Sequence, residues 1–296
     1  MTAHAVAPVT TSRRREIGSA SARSLLLTVL GEFVYPRGEP VWTASLVQGL
    51  AQLGVEEKSA RQAVARSAAE GMLRSERVGR RVRWVLTEPG ARLLADGTQR
   101  IYSFMREPAP WDGRWLVLSV AIPESQRQLR HRLRTRLTWL GMGSPAPGLW
   151  VVPDATKEAA VADAIAEARL GERAFAWVGD AAAIGARSTL IAAAWSLDAV
   201  QAQYSTFLRT FAALTADTDT AAFSAQVRLV QAWRRFPFLD PALPAELLEH
   251  TWPGVAAAET FHRCHAQLHD GAQRHWSALA AAATAPAQRT GGRLEQ

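Results

Sequence analysis

Cysteine is almost missing from this sequence. Cys264 stands alone among 296 residues, so no disulfide can close within the chain and nothing demands an oxidising compartment. Long apolar runs are missing too, since no stretch approaches the ~20 residues that a bilayer-spanning helix requires. Arg13–Arg15 followed by Leu25–Leu30 has the outline of an export signal. However, the apolar segment is short, Glu32 interrupts it and no small-residue cleavage site follows. The expectation is a cytoplasmic protein with no membrane partner. The phosphate-binding pattern G-x-x-x-x-G-K-[ST], the nucleophile elbow G-x-S-x-G and the zinc-protease pattern H-E-x-x-H are all absent. Neither a cofactor nor an enzyme activity is expected.

What is present is unevenly distributed. Hydrophobic residues make up 48% and charged residues 21%, the balance of a folded globular chain. Residues 1–140 carry 22 Lys and Arg against 12 Asp and Glu, whereas residues 141–296 carry 12 against 15. A basic half joined to a mildly acidic half points to a polyanion at one end and another task at the other.

Residues 1–18 are polar and basic and read as a disordered arm, and the small polar tail 284–296 reads likewise. Between them the pattern gives an α+β, multidomain chain. Ser19 or Ser21 can cap a helix carrying Leu25, Leu26, Val29, Leu30 and Phe33, which Tyr35-Pro36-Arg37-Gly38 ends. A short helix from about Thr43 to Leu53 follows, then a third from Glu56 to Glu70 that stops at Gly71. Met72–Val78 and Val82–Leu86 read as strands around Gly79-Arg80-Arg81, and a helix opened by Thr87-Glu88-Pro89-Gly90, with Pro89 in its first turn, runs through Ala95. This order, within 19–97, is that of a winged helix-turn-helix.

Pro108-Ala109-Pro110 reads as a linker. Residues 108–180 alternate strands (Trp115–Ile122, Leu149–Val152, Arg173–Val178) with helices (Ser125–Leu140, Thr156–Leu170) around a Gly/Pro loop at Gly141–Gly148. This pattern fits a ferredoxin-like layer. Residues 181–283 are Ala-rich and helical, with a proline-punctuated stretch at Phe236–Gly254, and stand as the candidate effector and dimerisation domain on the arguments given below.

The third helix is the candidate recognition helix. Ala60, Val64, Ser67 and Gly71 would face the core, leaving Ser59, Arg61, Gln62 and Arg66 on the opposite side. Arg matches guanine and Gln matches adenine in a bidentate way in the major groove. The alternative is a solvated surface helix. The hairpin arginines Arg77, Arg80, Arg81 and Arg83, with Arg74 nearby, suit a wing that neutralises phosphates. The basic helix Gln126–Arg136 either extends the DNA footprint or is a solvated face. One recognition helix reads few base pairs, so a homodimer on a two-fold repeated site is expected.

In the C-terminal part, Tyr204, Phe207, Trp233, Phe236 and Phe238 form a candidate apolar pocket for an aromatic ring. Arg234 and Arg235 stand beside them as candidate partners for phosphates. The plain alternative is that the rings are core and the arginines surface. His262, Cys264, His265 and His269 have helical ligand spacing, but no nearby carboxylate completes a set, so no metal is expected.

Taken in order, several motifs carry a resemblance. They are Ser21–Leu30, Glu70-Gly71, Val78-Gly79-Arg80-Arg81, Arg100-Ile101-Tyr102 and Trp111-Asp112-Gly113-Arg114-Trp115. Further on come Trp139-Leu140-Gly141, Pro147-Gly148-Leu149-Trp150, Phe236–Pro241, Leu243-Pro244 and Trp252-Pro253-Gly254. Over residues 20–270 the chain resembles the PaaX family, repressors of phenylacetic acid degradation operons. The resemblance implies a winged helix, a Cas2-like middle domain and a helical C-terminal domain. It also implies a homodimer on an inverted-repeat double-stranded DNA operator and an aryl-CoA effector such as phenylacetyl-CoA. Cas2-like nucleases carry an acidic residue at the end of the first strand, and here that strand, Trp115–Ile122, has none. A non-catalytic nucleic-acid-binding or assembly protein without an effector is the alternative reading.

Overall fold

The computed structural model describes residues 21–106 and 110–284. The basic arm, the tail beyond Thr284 and the linker residues Pro108 and Ala109 lie outside the described residues.

The first described helix starts at a cap, where Ser21 Oγ accepts from Ser24 N at 3.2 Å and satisfies one of the donors that a helix start leaves open. Helix α1 (Ala22–Val29) continues through a π-helical turn, Leu30–Val34, and a 3₁₀ turn, Tyr35–Arg37. Gly38, at φ +64°, stops it. The Leu25, Leu26, Val29, Leu30 and Phe33 stripe is buried. Strand β1 (Val41–Trp42) precedes α2 (Thr43–Ala51) and α3 (Glu57–Ala69). Strands β2 (Leu73–Val78) and β3 (Arg81–Leu86) form the hairpin, and β1 pairs with β3 to make a three-stranded sheet. Trp84 Nε1 donates to Thr43 Oγ1 at 2.9 Å, which in turn donates to the Val82 carbonyl at 3.0 Å. The start of α2 is thereby fixed to the sheet.

Helix α4 (Glu88–Ser103) is capped by Thr87 and carries Pro89 in its first turn. It runs past Ala95 because Gly97 is an interior residue with no left-handed backbone. Ile101 and Tyr102 beyond it pack against the core, which outweighs the ~1 kcal/mol that a mid-helix glycine costs. At the other end of α4, Gly90 lies against the Met72 backbone so closely that a Cβ would sit 2.2 Å from the Met72 carbonyl oxygen.

The middle unit is β4 (Arg114–Val120), α5 (Arg127–Trp139), β5 (Gly143–Ala146), β6 (Leu149–Val152), α6 (Glu158–Glu167) and β7 (Ala174–Asp180). The sheet order is β5-β6-β4-β7 with every neighbour antiparallel, the ferredoxin-like βαββαβ arrangement. The expected Gly/Pro loop contains β5 instead. At the sheet edge the missing N–H of Pro145 costs no ladder bond. Leu116, Leu118, Val120 and Trp150 pack against Leu133, Leu137, Val161 and Ile165 of α5 and α6. On the other face, Trp115 and Val151 meet Ile191 of α7 (Arg187–Ala194) together with Leu243 and Leu247.

The remaining helices are α8 (Leu197–Phe211), α9 (Asp219–Trp233), the single turn α10 (Phe236–Leu239) and α11 (Gly254–Thr284). Thr284, expected in the tail, belongs to α11. The helical part does not form a core of its own. Leu26, Phe33, Leu46, Leu50 and Val64 belong to the same buried cluster as Phe223, Val227, Trp233, Phe261, Leu268 and Trp276. Phe33 packs 5.0 Å from Phe223 and 5.6 Å from Trp276, centroid to centroid. The winged helix and the C-terminal helices thus share one interior, although the ferredoxin-like unit separates them in sequence.

Candidate nucleic-acid interface

Helix α3 lies on the winged-helix core through Ala60, Ala63, Val64 and Ser67, all buried. Gly71 does not join them. It is exposed at φ +77°, terminating the helix in the left-handed conformation that glycine adopts without strain. On the outer side Arg61, Gln62 and Arg66 are exposed and Ser59 is half-buried. Arg61 is tethered one turn back to Glu57, with nitrogen–oxygen distances of 2.7 and 2.8 Å. An exposed i,i+4 pair is worth only about 0.3–0.5 kcal/mol, so phosphate or base can displace it. Arg66 has no side-chain partner among the described residues.

The wing arginines fall into three groups. Arg80, at the Gly79-Arg80 turn, is exposed and without a side-chain partner among the described residues, and Arg77 bonds only the Gly79 carbonyl, at 3.2 Å. Arg83 and Arg74 both engage Glu76, each at 2.9 Å. The hydrogen bond from Arg83 is the largest influence holding the Glu76 carboxyl below its usual range. Arg81 turns away from the wing tip, lies 4.6 Å over the Trp42 ring and donates to the carbonyls of Ala283 and Thr284 at the end of α11, at 2.6 and 3.2 Å.

On α5, Arg127, Arg130, His131, Arg132, Arg134 and Arg136 are exposed. None forms an ion pair among the described residues, and Arg130 reaches only the Ile122 carbonyl.

A buried polar cluster, absent from the expected sites, ties these parts together. Glu32, which interrupts the first apolar stripe, accepts from Tyr102 Oη at 2.6 Å and from Gln226 Nε2 at 2.8 Å, and lies 2.9 Å from His265 Nε2. Burial alone would raise the Glu32 carboxyl. The hydrogen bond and charge of His265, with Tyr102 and Gln226, overcome this and hold it below its usual value. The available signals were a lone carboxylate inside an apolar helix and a histidine on the inner face of another.

The candidate effector residues are placed as follows. Tyr204 stacks on Phe236 at 4.1 Å and 9°, Trp233 stacks on Phe261 at 4.9 Å, and Phe207 meets Phe236 edge-on. Four of the five candidate rings (Tyr204, Phe207, Trp233 and Phe236) are buried and fill the interior. Tyr204 also donates to Asp240 at 2.6 Å. Burial pushes the Asp240 carboxyl up, against the opposing hydrogen bonds of Tyr204 and the Ala242 amide. Arg234 is half-buried and bonds the Ser24 carbonyl and Thr28 Oγ1 of α1. Arg235 is exposed and bonds Gln203. Phe238 is separate from the other rings, exposed between Trp139 and the Arg100 guanidinium.

On α11 the rings of His265 and His269 lie 5.7 Å apart, centroid to centroid. Cys264 is buried and donates to the Phe211 carbonyl, His265 belongs to the Glu32 network, and no group of three or more metal-ligand side chains occurs among the described residues. No described helix is long and apolar enough to cross a membrane.

Comparison with known proteins agrees with this architecture. Three family models match in order: PaaX-like protein at 21–90, PaaX protein central Cas2-like domain at 108–191, and PaaX-like protein C-terminal domain at 195–278. The chain is 32% identical over 251 residues to Transcriptional repressor PaaX of Escherichia coli strain K12, covering 81% of this chain and 78% of that one. It is also similar in fold to an uncharacterized protein, Rv0674, from Mycobacterium tuberculosis. The TM-score there is 0.61 and the identity 22%, over 88% of this chain and all of the other. The chain belongs to the PaaX-like family.

Proposed function

We propose that the protein is a transcriptional repressor that binds double-stranded DNA through α3 and the β2–β3 wing. The observation that carries this reading is the pairing of an exposed Arg61, Gln62 and Arg66 face with an arginine-tipped hairpin beside it. Similarity to a relative named as a transcriptional repressor supports it. Bases are read by Arg61, Gln62 and Arg66, with Ser59 at the rim, while Arg77 and Arg80 meet phosphates. Arg83 and Arg81 are already engaged within the protein. The site is an inverted repeat bound by a homodimer in the cytoplasm, without catalysis.

The effector in this reading is an aryl-CoA thioester such as phenylacetyl-CoA, bound by the C-terminal helices. Because Tyr204, Phe207, Trp233 and Phe236 are packed together, a ring can enter only by parting them. The ligand then acts by preferring that opened arrangement, and reversing a 99:1 equilibrium takes about 5.5 kcal/mol of differential affinity.

The test is selection of bound fragments from genomic DNA, followed by titration of the complex with phenylacetyl-CoA, phenylacetate and coenzyme A. Release by the thioester alone supports both parts. Binding that no thioester changes removes the effector, and failure to select any sequence removes the repressor.

A further inference from the structure

We infer that the C-terminal end of α11 is the anchor of the wing, with Arg81 and Trp42 as its positioning residues. This inference rests on the DNA-binding reading above and assigns Arg81 a role other than phosphate contact.

Helix α11 has 31 residues, about 46 Å at 1.5 Å per residue. Its first half is built into the C-terminal interior through Phe261, Cys264 and Leu268. Its second half lies along the winged helix. Trp276 presses on α2 where only glycine fits well, a Cβ on Gly49 falling 3.2 Å from the Trp276 ring. Ser45 Oγ donates to the Leu279 carbonyl at 3.4 Å, and Arg37 donates to Gln273 Oε1 and Ser277 Oγ at 2.9 and 2.8 Å. At the last described turn Trp42 Nε1 donates to Thr284 Oγ1 at 3.1 Å, and Arg81 donates to the carbonyls of Ala283 and Thr284.

The chemistry of that turn favours this arrangement. A planar guanidinium with several donors reaches two neighbouring carbonyls while its face rests on the Trp42 indole. Trp42 closes β1 and pairs in register with Arg83, and Arg81 opens β3 opposite Val78. One rigid helix therefore grips the edge strand β1 and the first residue of the central strand β3. Movement of α11 in the C-terminal interior reaches the hairpin directly, and the wing tip carrying Arg80 is held at the angle that α11 sets.

The experiment compares Arg80→Gln, Arg81→Gln, Trp42→Leu and the Arg81→Gln/Trp42→Leu double variant in the full chain. Binding to a selected duplex is followed over a series of salt concentrations, and amide hydrogen exchange is followed without DNA. Arg80→Gln is expected to lower the slope of log K against log salt by about one and to leave wing exchange unchanged, as loss of a phosphate contact does. Arg81→Gln is expected to weaken binding about tenfold, the size of one charge-assisted hydrogen bond, with the slope unchanged. It should also accelerate exchange across residues 73–86. The double variant should lose no more than the larger of its two single losses. A slope drop of about one in Arg81→Gln, additive losses, or unaltered wing exchange would each overturn the anchor. If the wild-type chain binds no duplex, the repressor reading fails, and the exchange comparison still decides whether the anchor exists.

Discussion

Glu32 and His265 lie 233 residues apart in the chain, yet Glu32 Oε2 is 2.9 Å from His265 Nε2 in the interior. The first belongs to the π-helical turn that ends α1, the second to α11. Gln226 of α9 and Tyr102 of α4 bond the same carboxylate, so four elements meet at one buried charge. Removing one partner of such a pair leaves the other desolvated, a cost of about 3–5 kcal/mol. Replacement of Glu32 by alanine should therefore lower the urea midpoint strongly.

The same carboxylate gives a pH signature. Its folded pKa is depressed, so its stabilisation is fully present above the unfolded value of 4.5 and is lost as pH falls through the folded value. Wild-type stability relative to Glu32→Gln should thus be constant from pH 7 to about 5 and shrink towards zero in more acidic solution. Using the difference between the two proteins cancels the contribution of Asp240, whose raised pKa acts in the opposite sense. A difference that grows on acidification would contradict the depressed value.

The shared interior has its own consequence. Truncation of Phe33, fully buried between Phe223 and Trp276, should cost about 3–5 kcal/mol. Because those neighbours belong to α9 and α11, amide protection should fall in α2 and α9 together and remain in β4 and β6. Loss confined to residues 21–103 would indicate that the winged helix has a core of its own.

Two glycines of α4 should respond in opposite directions. Gly90→Ala places a Cβ 2.2 Å from the Met72 carbonyl oxygen and should destabilise by about 1–3 kcal/mol or more through forced backbone movement. Gly97 has nothing within 4 Å and lies inside the helix, so Gly97→Ala should stabilise by about 0.5–1 kcal/mol. Thermal melting of the two variants checks both.

Much of the local architecture was legible because it rests on local signals. The α3 stripe of Ala60, Val64 and Ser67 and the stop at Gly71, where φ is +77°, could be read from spacing and turn chemistry alone. The alternating Val82, Trp84 and Leu86 gave β3 in the same way. Strand β1 was missed because two residues carry no periodicity, and β5 because Gly143 and Pro145 resemble a loop wherever the sheet edge is not known. The fate of Arg81, the burial of Tyr204 among its neighbours and the Glu32 cluster depend on contacts across 36 to 233 residues, which no window of sequence contains.

The most direct test of the central claim is the affinity of the full chain for its selected duplex and for a scrambled one, across a range of salt, with Arg66→Ala and Arg80→Ala alongside. If α3 reads bases and the wing tip meets phosphate, Arg66→Ala should lose about 1–3 kcal/mol on the selected duplex and little on the scrambled one. Arg80→Ala should weaken both duplexes alike and reduce the salt slope by about one. Unchanged affinity and slope in both variants would contradict the assignment of α3 and the wing as the DNA-binding surface.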